Sequence, residues 1–310
     1  MPGSGPSNAR PLVSVVVFAY NEEKRIRAAL ESLDACGAEA ELLVHVLING
    51  CTDRTEEVVR AFQPTATKVV PVVIARGDKA NAWNDYTHRL APKSAVMHVF
   101  TDGDMQVRRG SIAAFLRRFE EEPHANGCAG LPVTGRSRVA FRDKLVRRHE
   151  MAGNLYAVRA SCLAEFRRLG IRLPFGLFGE DGLVTTLIKY DLDLRGRQDD
   201  RRITAAEGAG FGFPQLSPWR PGDWRIYHRR RMRYAVRRHQ ARLLYAMLRE
   251  FGTRAMPAHV IDLYRERGSA LRFAWSGLDS FFDWVALRRI RRDMEAQDTA
   301  KREERAHLYS

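Results

Sequence analysis

The sequence predicts an α/β fold in which a mostly parallel sheet is flanked by helices and followed by a basic helical C-terminal extension. Three observations support this prediction. Apolar, β-branched runs of strand length alternate four times with segments of helical periodicity, an order typical of parallel sheets. Hydrophobic residues make up 45% of the 310 residues, enough for a sizeable core. A third observation indicates the extension, because the end of the chain combines many arginines with helically spaced apolar residues.

The predicted strands and helices follow one another in a regular order. Strands are predicted at Leu12–Phe18, Leu42–Ile48, Lys68–Ile74 and Val96–Thr101. Helices are predicted after the first three, with apolar residues at helical spacing at Ile26, Ala29, Leu30 and Leu33, then at Val58, Val59 and Phe62, and with a further helix after Lys79. The second of these helices is expected to begin with a capping box formed by Asp53 and Glu56. Ligands of such a sheet bind beyond the carboxyl ends of its strands.

The chain divides into three predicted parts. Residues 1–10 form a disordered tail rich in Gly, Pro and Ser, without the apolar core of a secretory signal. Residues 11–222 form the α/β domain, whose final stretch, 208–222, has the composition of a loop or linker. Residues 223–310 form a basic amphipathic helical region. The longest apolar runs are too short to span a bilayer. We therefore expect a cytoplasmic protein, with the inner face of the cytoplasmic membrane as a further place of action.

The net charge predicts an anionic partner. Lys and Arg number 51 and Asp and Glu 37, which gives a formal charge of +14. Charge alone does not distinguish a nucleotide, an acidic lipid, a charged glycan or a nucleic acid. The arginine-dense segment 224–249 makes a nucleic-acid-binding protein one alternative. The chain has no recognised nucleic-acid-binding module, and its paired carboxylates would repel a phosphate backbone, so no nucleic acid partner is expected.

The first candidate site motif is Asp102-Gly103-Asp104, directly after the fourth predicted strand. Two carboxylates at i and i+2 point to the same side of an extended chain. Mg²⁺ and Mn²⁺ prefer oxygen ligands, and Mg²⁺ is usually shared between one or two carboxylates and substrate phosphates. The motif therefore predicts a metal site that holds a diphosphate. The alternative is an Asp-Gly turn between two apolar segments.

The second candidate motif is Glu180-Asp181, at the start of a predicted helix over residues 183–188. A carboxylate at the mouth of the sheet is suited to accept a proton from a nucleophile. The alternative is that Asp181 is the N-cap of the helix. One residue can fill both roles.

Together these motifs resemble the family 2 glycosyltransferases. The resemblance is carried by Val13–Glu23, Asn49–Thr55, Asp102–Asp104 and Glu180–Asp181, in this order and spacing, and covers roughly Leu12 to Asp193. It implies a GT-A type, Rossmann-like fold and inverting transfer of a sugar from a UDP or GDP type donor, with Mg²⁺ or Mn²⁺ bound. The acceptor would be a hydroxyl of a glycan or of a lipid-linked molecule, in the synthesis of a bacterial-type cell-surface glycan or glycolipid.

The resemblance also implies a role for each matching residue. Asp181 is the catalytic base, next to Glu180, and Asp104 is the principal metal ligand, with Asp102 as the second. Lys79 lies on a basic loop that touches the nucleotide, unless it is simply a solvated loop residue. The implied nucleotide-sugar site consists of Ala19, Tyr20, Asn21, Glu22, Asn49, Asp53, Asp78, Lys79, Asp102, Gly103 and Arg233.

The chain departs from the family in two places. Ile48-Asn49 stands where many relatives carry an acidic pair, so Asn49 would offer an amide to the base instead. Processive relatives carry a Gln-x-x-Arg-Trp element, whose nearest match is Arg230–Tyr234, without the Gln. Arg233 would then neutralise the leaving diphosphate, or belong to a solvated basic helix. Three other functions stay open: a non-catalytic relative that binds nucleotide sugar or glycan, a nucleotidyltransferase, and nucleic-acid binding through the basic C-terminal helix.

The C-terminal helices have two interpretations. Their apolar faces either pack on the α/β domain or dock on an anionic membrane surface. The first helix has an apolar stripe between arginines, at Met232, Val236, Leu243 and Met247. The last predicted helical face consists of Leu271, Trp275, Leu278, Phe282 and Val285, flanked by Phe281 and Trp284.

Overall fold

The computed structural model describes residues 10–212, 221–271, 273, 280–292 and 294, with the backbone alone over 221–226. Residues 1–9 of the predicted tail lie outside the described residues. So do residues 213–220 of the predicted linker, and Trp275 and Leu278 of the predicted last helical face.

An eight-stranded sheet forms the centre of the molecule, and all four predicted strands are confirmed to within one residue at either end. The strands are β1 (Leu12–Ala19), β2 (Glu41–Asn49), β3 (Lys68–Ile74), β4 (Met97–Asp102), β5 (Gln106–Val107), β6 (Gly127–Pro132), β7 (Leu155–Arg159) and β8 (Ile203–Gly212). Their spatial order is β3-β2-β1-β4-β7-β6-β8-β5. Strands β1 to β4 pair in parallel, whereas β7 runs antiparallel to both of its neighbours. The predicted α/β fold is therefore confirmed.

Helices cover both faces of the sheet. They are α1 (Ile26–Asp34), α2 (Thr55–Arg60), α3 (Lys79–Asp85), α4 (Ser111–Glu121), α5 (Arg138–Arg147), α6 (Ala160–Arg168), α7 (Glu180–Lys189), α8 (Pro221–Phe251) and α9 (Val260–Arg267), followed by helical residues 280–292. Strand β1 lies between two of these layers and is buried at every position except its first. This explains its almost continuous run of valines, which is typical of a central parallel strand.

The C-terminal helices share the core of the α/β domain. Leu244 and Leu248 of α8 and Leu263 of α9 lie in the same buried cluster as Trp83 and Phe166. The predicted apolar stripe of α8 is confirmed, with Val236, Leu243 and Met247 buried and Met232 half-buried. Packing of the apolar faces on the domain, one of the two interpretations of these helices, is thereby confirmed.

The predicted linker is wrong over residues 208–212, which belong to strand β8. The glycines there allow close packing: a Cβ on Gly208 would lie 2.9 Å from the Cβ of Ala114 on α4. Helix α8 begins at Pro221, so the predicted boundary at 222/223 falls in its first turn. The division into domains stays a prediction. Although α8 is 31 residues long, no helix among the described residues is both long and apolar enough to cross a membrane.

Candidate functional site

The candidate site lies where β1, β2 and β4 end. The register places Ala19 beside Ile48 of β2, and Phe18 beside Asp102 of β4. Since the three strands are parallel, the loops that follow them meet at one edge of the sheet. This edge is where ligands bind in open α/β sheets, and it brings most of the predicted site residues together.

The loops after β1 and β2 are bound to each other. Asn21 has a positive φ of 54°, and its side-chain oxygen accepts a hydrogen bond from the backbone nitrogen of Thr52 at 2.8 Å. The carboxylate of Asp53 accepts hydrogen bonds from the backbone nitrogens of Glu23 (3.1 Å) and Thr55 (3.0 Å). Burial alone would raise the pKa of Asp53, but the hydrogen bond that it accepts from the Thr55 hydroxyl and these two backbone hydrogen bonds lower it below its usual value. Asn21 and Asp53 therefore order the two loops.

The predicted capping box is wrong. Helix α2 begins at Thr55, and Asp53 reaches across to the loop after β1 instead of only capping its own helix. The other member, Glu56, binds Arg60 one turn along the helix at 2.8 Å. The residue types of a capping box are present, but Asp53 accepts a hydrogen bond from Glu23 N in the neighbouring loop, and Glu56 does not bind back to the start of the helix.

Asn49 and Asp78 connect β2 to helix α3. The side-chain oxygen of buried Asn49 accepts a hydrogen bond from the backbone nitrogen of Asp78 at 3.0 Å. One carboxylate oxygen of Asp78 accepts from Asn81 N and so caps α3, and the other accepts from Gly176 N, both at 2.7 Å. Asn49 and Asp78 were predicted to contact the nucleotide, but the side-chain oxygen of Asn49 and both carboxylate oxygens of Asp78 accept hydrogen bonds within the protein. Nucleotide contact by Asn49 and Asp78 stays a prediction.

The Asp102-Gly103-Asp104 segment is fixed against β1. The backbone nitrogen of Gly103 donates to Phe18 O at 2.8 Å, and a Cβ at this position would lie 3.2 Å from the Cα of Ala19. A larger residue would therefore push the segment away from the strand. Met105 N donates to Asp102 O, so a turn is present as well as the pair of carboxylates. The turn interpretation is therefore confirmed, and the metal site stays a prediction.

Lys79 joins the two acidic motifs. Its Nζ lies 2.5 Å from Asp102 Oδ1 and 2.7 Å from Glu180 Oε1, and its side chain is 27% exposed. Burial alone would lower the pKa of Lys79, but the two carboxylates raise it well above its usual value. The alternative of a solvated loop lysine is therefore wrong. Lys79, Asp102 and Glu180 thus form one charged cluster, although residues 79 and 180 are 101 positions apart in the sequence.

The Glu180-Asp181 pair lies in the first turn of α7. The helix begins at Glu180, after Gly179 with a φ of 83°, so Asp181 is inside the helix and the N-cap alternative is wrong. Asp181 accepts hydrogen bonds from Gly182 N at 2.8 Å and from Gly153 N at 3.0 Å. A Cβ on Gly153 would lie 2.9 Å from Lys79 Nζ. This glycine lets the backbone reach the carboxylate.

Arg237 is a site residue that the sequence did not identify. Its guanidinium forms an ion pair with Asp181 at 3.1 Å, and a Cβ on either Gly179 or Gly182 would overlap it. Burial lowers the pKa of Arg237, but Asp181 and Glu180 raise it above its usual value. Arg233, which was predicted to bind the nucleotide, lies one turn earlier on α8 and is exposed. The sequence offers no signal for Arg237, because it is one of eight arginines between Tyr227 and Arg249.

The acidic groups at this edge exceed the cations that offset them. Burial and the nearby charge of Asp104 raise the pKa of Glu22 to about 7, although Arg25 lowers it. Among the described residues, no hydrogen-bond donor or cation contacts the half-buried carboxylate of Asp104. No group of three or more His, Cys, Asp or Glu side chains in this part of the chain forms a metal site by itself. A cation that shares one or two carboxylates with a phosphate fits this arrangement.

Residues 14–168 match the sequence profile of the family described as "Glycosyl transferase family 2". The matched region begins within β1, continues through β7, includes Asp102–Asp104 and ends before Glu180. No curated protein matches the chain.

Several solved structures are similar to this chain. The mannosyltransferase PcManGT from Pyrobaculum calidifontis, in complex with GDP-Man and Mn²⁺, is 20% identical, with a TM-score of 0.57 over 94% of this chain and 85% of that chain. TarS residues 1–349 from S. aureus, in complex with UDP-GlcNAc, is 15% identical, with a TM-score of 0.49 over 93% and 92%. Glucosyl-3-phosphoglycerate synthase from Mycobacterium tuberculosis, in complex with Mn²⁺, UDP and glucosyl-3-phosphoglycerate, is 20% identical, with a TM-score of 0.48 over 73% and 78%. The similarity to PcManGT is a similarity of fold, and this fold is of the GT-A type.

Proposed function

Because the chain belongs to glycosyl transferase family 2, we propose that it is an inverting glycosyltransferase that moves a sugar from a nucleoside-diphosphate donor to an acceptor hydroxyl. The observation that carries the proposal is the Lys79 bridge. It places Glu180-Asp181, which lies outside the region matched to the family, beside Asp102 at the carboxyl edge of the sheet. This supports the proposal, because the proposed proton acceptor then lies beside the proposed diphosphate site.

The donor is proposed to bind in the loops after β1, β2 and β4. Asn21 and Asp53 hold the first two of these loops together by hydrogen bonds within the protein. A site whose geometry is already fixed loses less conformational entropy when a ligand binds. The structurally similar mannosyltransferase holds GDP-Man at the same time as Mn²⁺, and a UDP or GDP sugar is the donor class proposed here.

Asp104 is proposed as the principal ligand of Mg²⁺ or Mn²⁺, with Asp102 as the second. The half-buried Asp104 carboxylate has no competing donor among the described residues, whereas one oxygen of Asp102 is already bound to Lys79. The excess negative charge that raises the pKa of Glu22 fits a cation at this position. When bound, the ion would stabilise negative charge on the diphosphate as a Lewis acid.

Asp181 is proposed as the base of a single displacement. It takes the proton of the acceptor hydroxyl while the acceptor oxygen forms a bond to the anomeric carbon. The bond between that carbon and the diphosphate oxygen breaks, and the nucleoside diphosphate leaves from the opposite face, so the configuration inverts. Gly153 N and Arg237 fix the orientation of the Asp181 carboxylate. Arg237 is thus a positioning residue.

The acceptor is proposed to be a glycan or a lipid-linked molecule, in cell-surface glycan or glycolipid synthesis on the cytoplasmic side of the membrane. The acceptor is proposed to approach from the side of α8, where Arg237 and Asp181 form their ion pair. The abundance of arginines on α8 suits an acceptor that carries phosphate groups.

Calorimetric titration of UDP and GDP, with and without Mn²⁺, tests the proposal. We expect metal-dependent binding of one nucleotide, lost in Asp104→Ala and unchanged in Asp181→Asn. Release of nucleoside diphosphate from the matching sugar donor should fall about 10²- to 10⁴-fold in Asp181→Asn, the usual contribution of a general base. Asp143→Ala, an exposed carboxylate on α5, is the control for loss of one charge.

Each outcome separates the proposal from its alternatives. Binding of neither nucleotide in the presence of metal would contradict the proposed donor site. Tight, metal-dependent binding without any turnover would identify a non-catalytic relative. Full turnover in Asp181→Asn would assign the base to another residue.

A further inference from the structure

The C-terminal helices carry an outward surface of aromatic residues. Tyr227 on α8 is 56% exposed, and Phe281 and Trp284 on helical residues 280–292 are 58% and 46% exposed. We call these three residues the aromatic face. Large aromatic side chains in a group on a protein surface indicate an interaction site more often than single exposed ones do.

Packing of the inner side fixes the direction of this face. Ala286, Leu287 and Ile290 are buried, and Ala286 belongs to the same apolar cluster as Ala235 and Val236 of α8. Residues at i and i+3, such as Phe281 and Trp284, share one side of a helix. They point outwards because the opposite side of the helix is occupied.

Phe282, a member of the predicted apolar face, lies on the inner side of this helix. Its ring lies 5.4 Å from that of His228 and 5.2 Å from the guanidinium of Arg231, both on α8. The sequence pattern placed Phe282 on the apolar face and Phe281 and Trp284 at its flanks. The contact with α8 agrees with packing of that face on the protein, and it leaves the two flanking rings exposed.

Arginines lie over two rings of the aromatic face, and within residues 227–249 and 280–292 no carboxylate is exposed. Eight arginines and no Asp, Glu or Lys are found between Tyr227 and Arg249. Residues 280–292 contain four arginines and a single acid, Asp283, which is buried against Arg238 at 2.7 Å. The two segments thus present positive charge and aromatic rings on the same surface.

We infer that the aromatic face and its arginines dock the protein on an anionic membrane surface. Trp and Tyr side chains are enriched at the headgroup level of a bilayer, because their polar groups contact water and headgroups there while their rings contact apolar lipid. Arginines near the surface gain from the negative potential of anionic lipids. Exposed Arg291 and Arg292 lie seven and eight residues after Trp284, on the same side of the helix.

A nucleic acid would also offer negative charge, but the rings are poorly placed to stack on bases. The guanidinium of Arg231 lies 5.7 Å from the ring centre of Tyr227, and that of Arg288 lies 4.8 Å from the ring centre of Trp284. A base would have to displace an arginine before it could stack on these faces. A bilayer does not require this, because each arginine can bind a lipid phosphate while it stays over its ring.

Docking would bring the candidate site close to the bilayer. Tyr227 and Arg237 are ten residues apart on the continuous helix α8, about 15 Å along its axis. Arg237 contacts Asp181, so the base would lie about that far from the docked face. The benefit of this arrangement to a lipid-linked acceptor depends on the proposed function, but docking itself does not.

Co-sedimentation of the full chain with vesicles tests the inference. We expect binding to vesicles of phosphatidylglycerol and phosphatidylcholine, and little binding to phosphatidylcholine alone. Arg291→Gln with Arg292→Gln should weaken the binding about thirty-fold, as expected for two arginines near an anionic surface. Phe281→Ser with Trp284→Ser should weaken it at least about tenfold, because the rings no longer enter the interface.

Two matched variants control for charge and for exposed aromatics. Arg117→Gln with Arg147→Gln removes the same charge from α4 and α5. Phe251→Ser removes a ring that is 52% exposed and covered by Arg267, but lies at the far end of α8. Both controls should bind vesicles like the original chain. All these variants should still bind nucleotide in the calorimetric titration if the donor site is as proposed.

Absence of binding to anionic vesicles would overturn the inference. So would equal weakening by the control variants, or binding that Phe281→Ser with Trp284→Ser leaves unchanged. Tight binding of single-stranded DNA, lost in both test variants while vesicles are not bound, would assign the surface to nucleic acid instead. Loss of nucleotide binding with normal vesicle binding would contradict the proposed function and leave the docking surface intact.

Discussion

The proposed donor side and the proposed base side of the candidate site differ in the interactions that hold them. On the donor side, Asn21, Asn49 and Asp53 hold neighbouring loops by hydrogen bonds to backbone nitrogens. On the base side, Lys79 and Arg237 add ion pairs with Glu180 and Asp181 to the hydrogen bond that Gly153 N donates to Asp181. The first set connects loops at the ends of adjacent parallel strands. The second connects segments that are far apart in the chain.

This difference has an energetic consequence. A hydrogen bond between a side chain and a backbone nitrogen contributes about 1 kcal/mol net to stability. An unpaired charge in a buried position costs several times more, because neither water nor a counterion solvates it. We therefore expect the base side to be far less tolerant of substitution than the donor side, and three variants examine this contrast in order of decreasing effect.

Lys79→Met should have the largest effect on stability. Removal of the ammonium leaves the buried Glu180 and the partly buried Asp102 without their counterion. We expect a loss of about 3 kcal/mol in the free energy of unfolding, the lower end of the range for a broken buried pair because Lys79 is partly exposed. Urea denaturation followed by circular dichroism measures it.

Two controls define this effect. Arg60→Met breaks an exposed ion pair with Glu56 and should cost about 0.5 kcal/mol or less. Lys79→Met with Glu180→Gln also removes the charge of Glu180, so only Asp102 lacks its counterion, and part of the stability should be recovered. Equal losses for Lys79→Met and Arg60→Met would show that the Lys79 bridge is no stronger than a surface pair.

Arg237→Met should reduce turnover while it leaves donor binding unchanged. The Asp181 carboxylate loses the partner that orients it, and such misplacement can cost up to about a hundredfold in rate. Release of nucleoside diphosphate from the sugar donor measures the rate, and calorimetry measures the donor affinity. Arg237→Lys should restore part of the rate, since it keeps the charge but not the planar geometry.

Arg242→Met, on the exposed side of the same helix, is the matched control and should turn over normally. If Arg237→Met weakened donor binding as much as it slowed turnover, Arg237 would act on the donor rather than on Asp181. A rate equal to that of the original chain would remove Arg237 from the site.

Asp53→Ala should have the smallest effect. It leaves the backbone nitrogens of Glu23 and Thr55 and the hydroxyl of Thr55 without an acceptor; water can replace the acceptor at half-buried Glu23, whereas Thr55 is buried. We expect about 1 kcal/mol less stability by urea denaturation, and a similar loss in nucleotide affinity if loop order matters for the donor. A loss as large as that of Lys79→Met would contradict the contrast between the two sides.

Local sequence patterns predicted the donor side well. The four parallel strands and the positions of Ala19, Asn49 and Asp102 at their ends follow from β-branched runs that stop at polar residues. Residues at the ends of parallel strands must meet at one edge, whichever helices connect them. This is why the sheet and its edge were predictable, although the partners of Asp53 and Asp78 were not.

The base side was predictable only in part. The motif Glu180-Asp181 was recognised by its resemblance to a family, and its role stays a proposal. Strand β8 was not predicted, and the glycines at its end suggested a loop, whereas they allow close contact with α4. A glycine has the same sequence signal whether it ends an element or lets two elements approach each other.

The sequence by itself determined the α/β class, the parallel strands, the loops at their carboxyl ends and the basic character of the C-terminal helices. Each of these depends on the periodicity or composition of a single segment. Only the tertiary structure decided that Lys79 joins Asp102 to Glu180, that Arg237 rather than Arg233 reaches Asp181, and that Phe281 and Trp284 face outwards. These contacts join separate segments, so their partners depend on how helices pack on the sheet, and no local pattern records that packing.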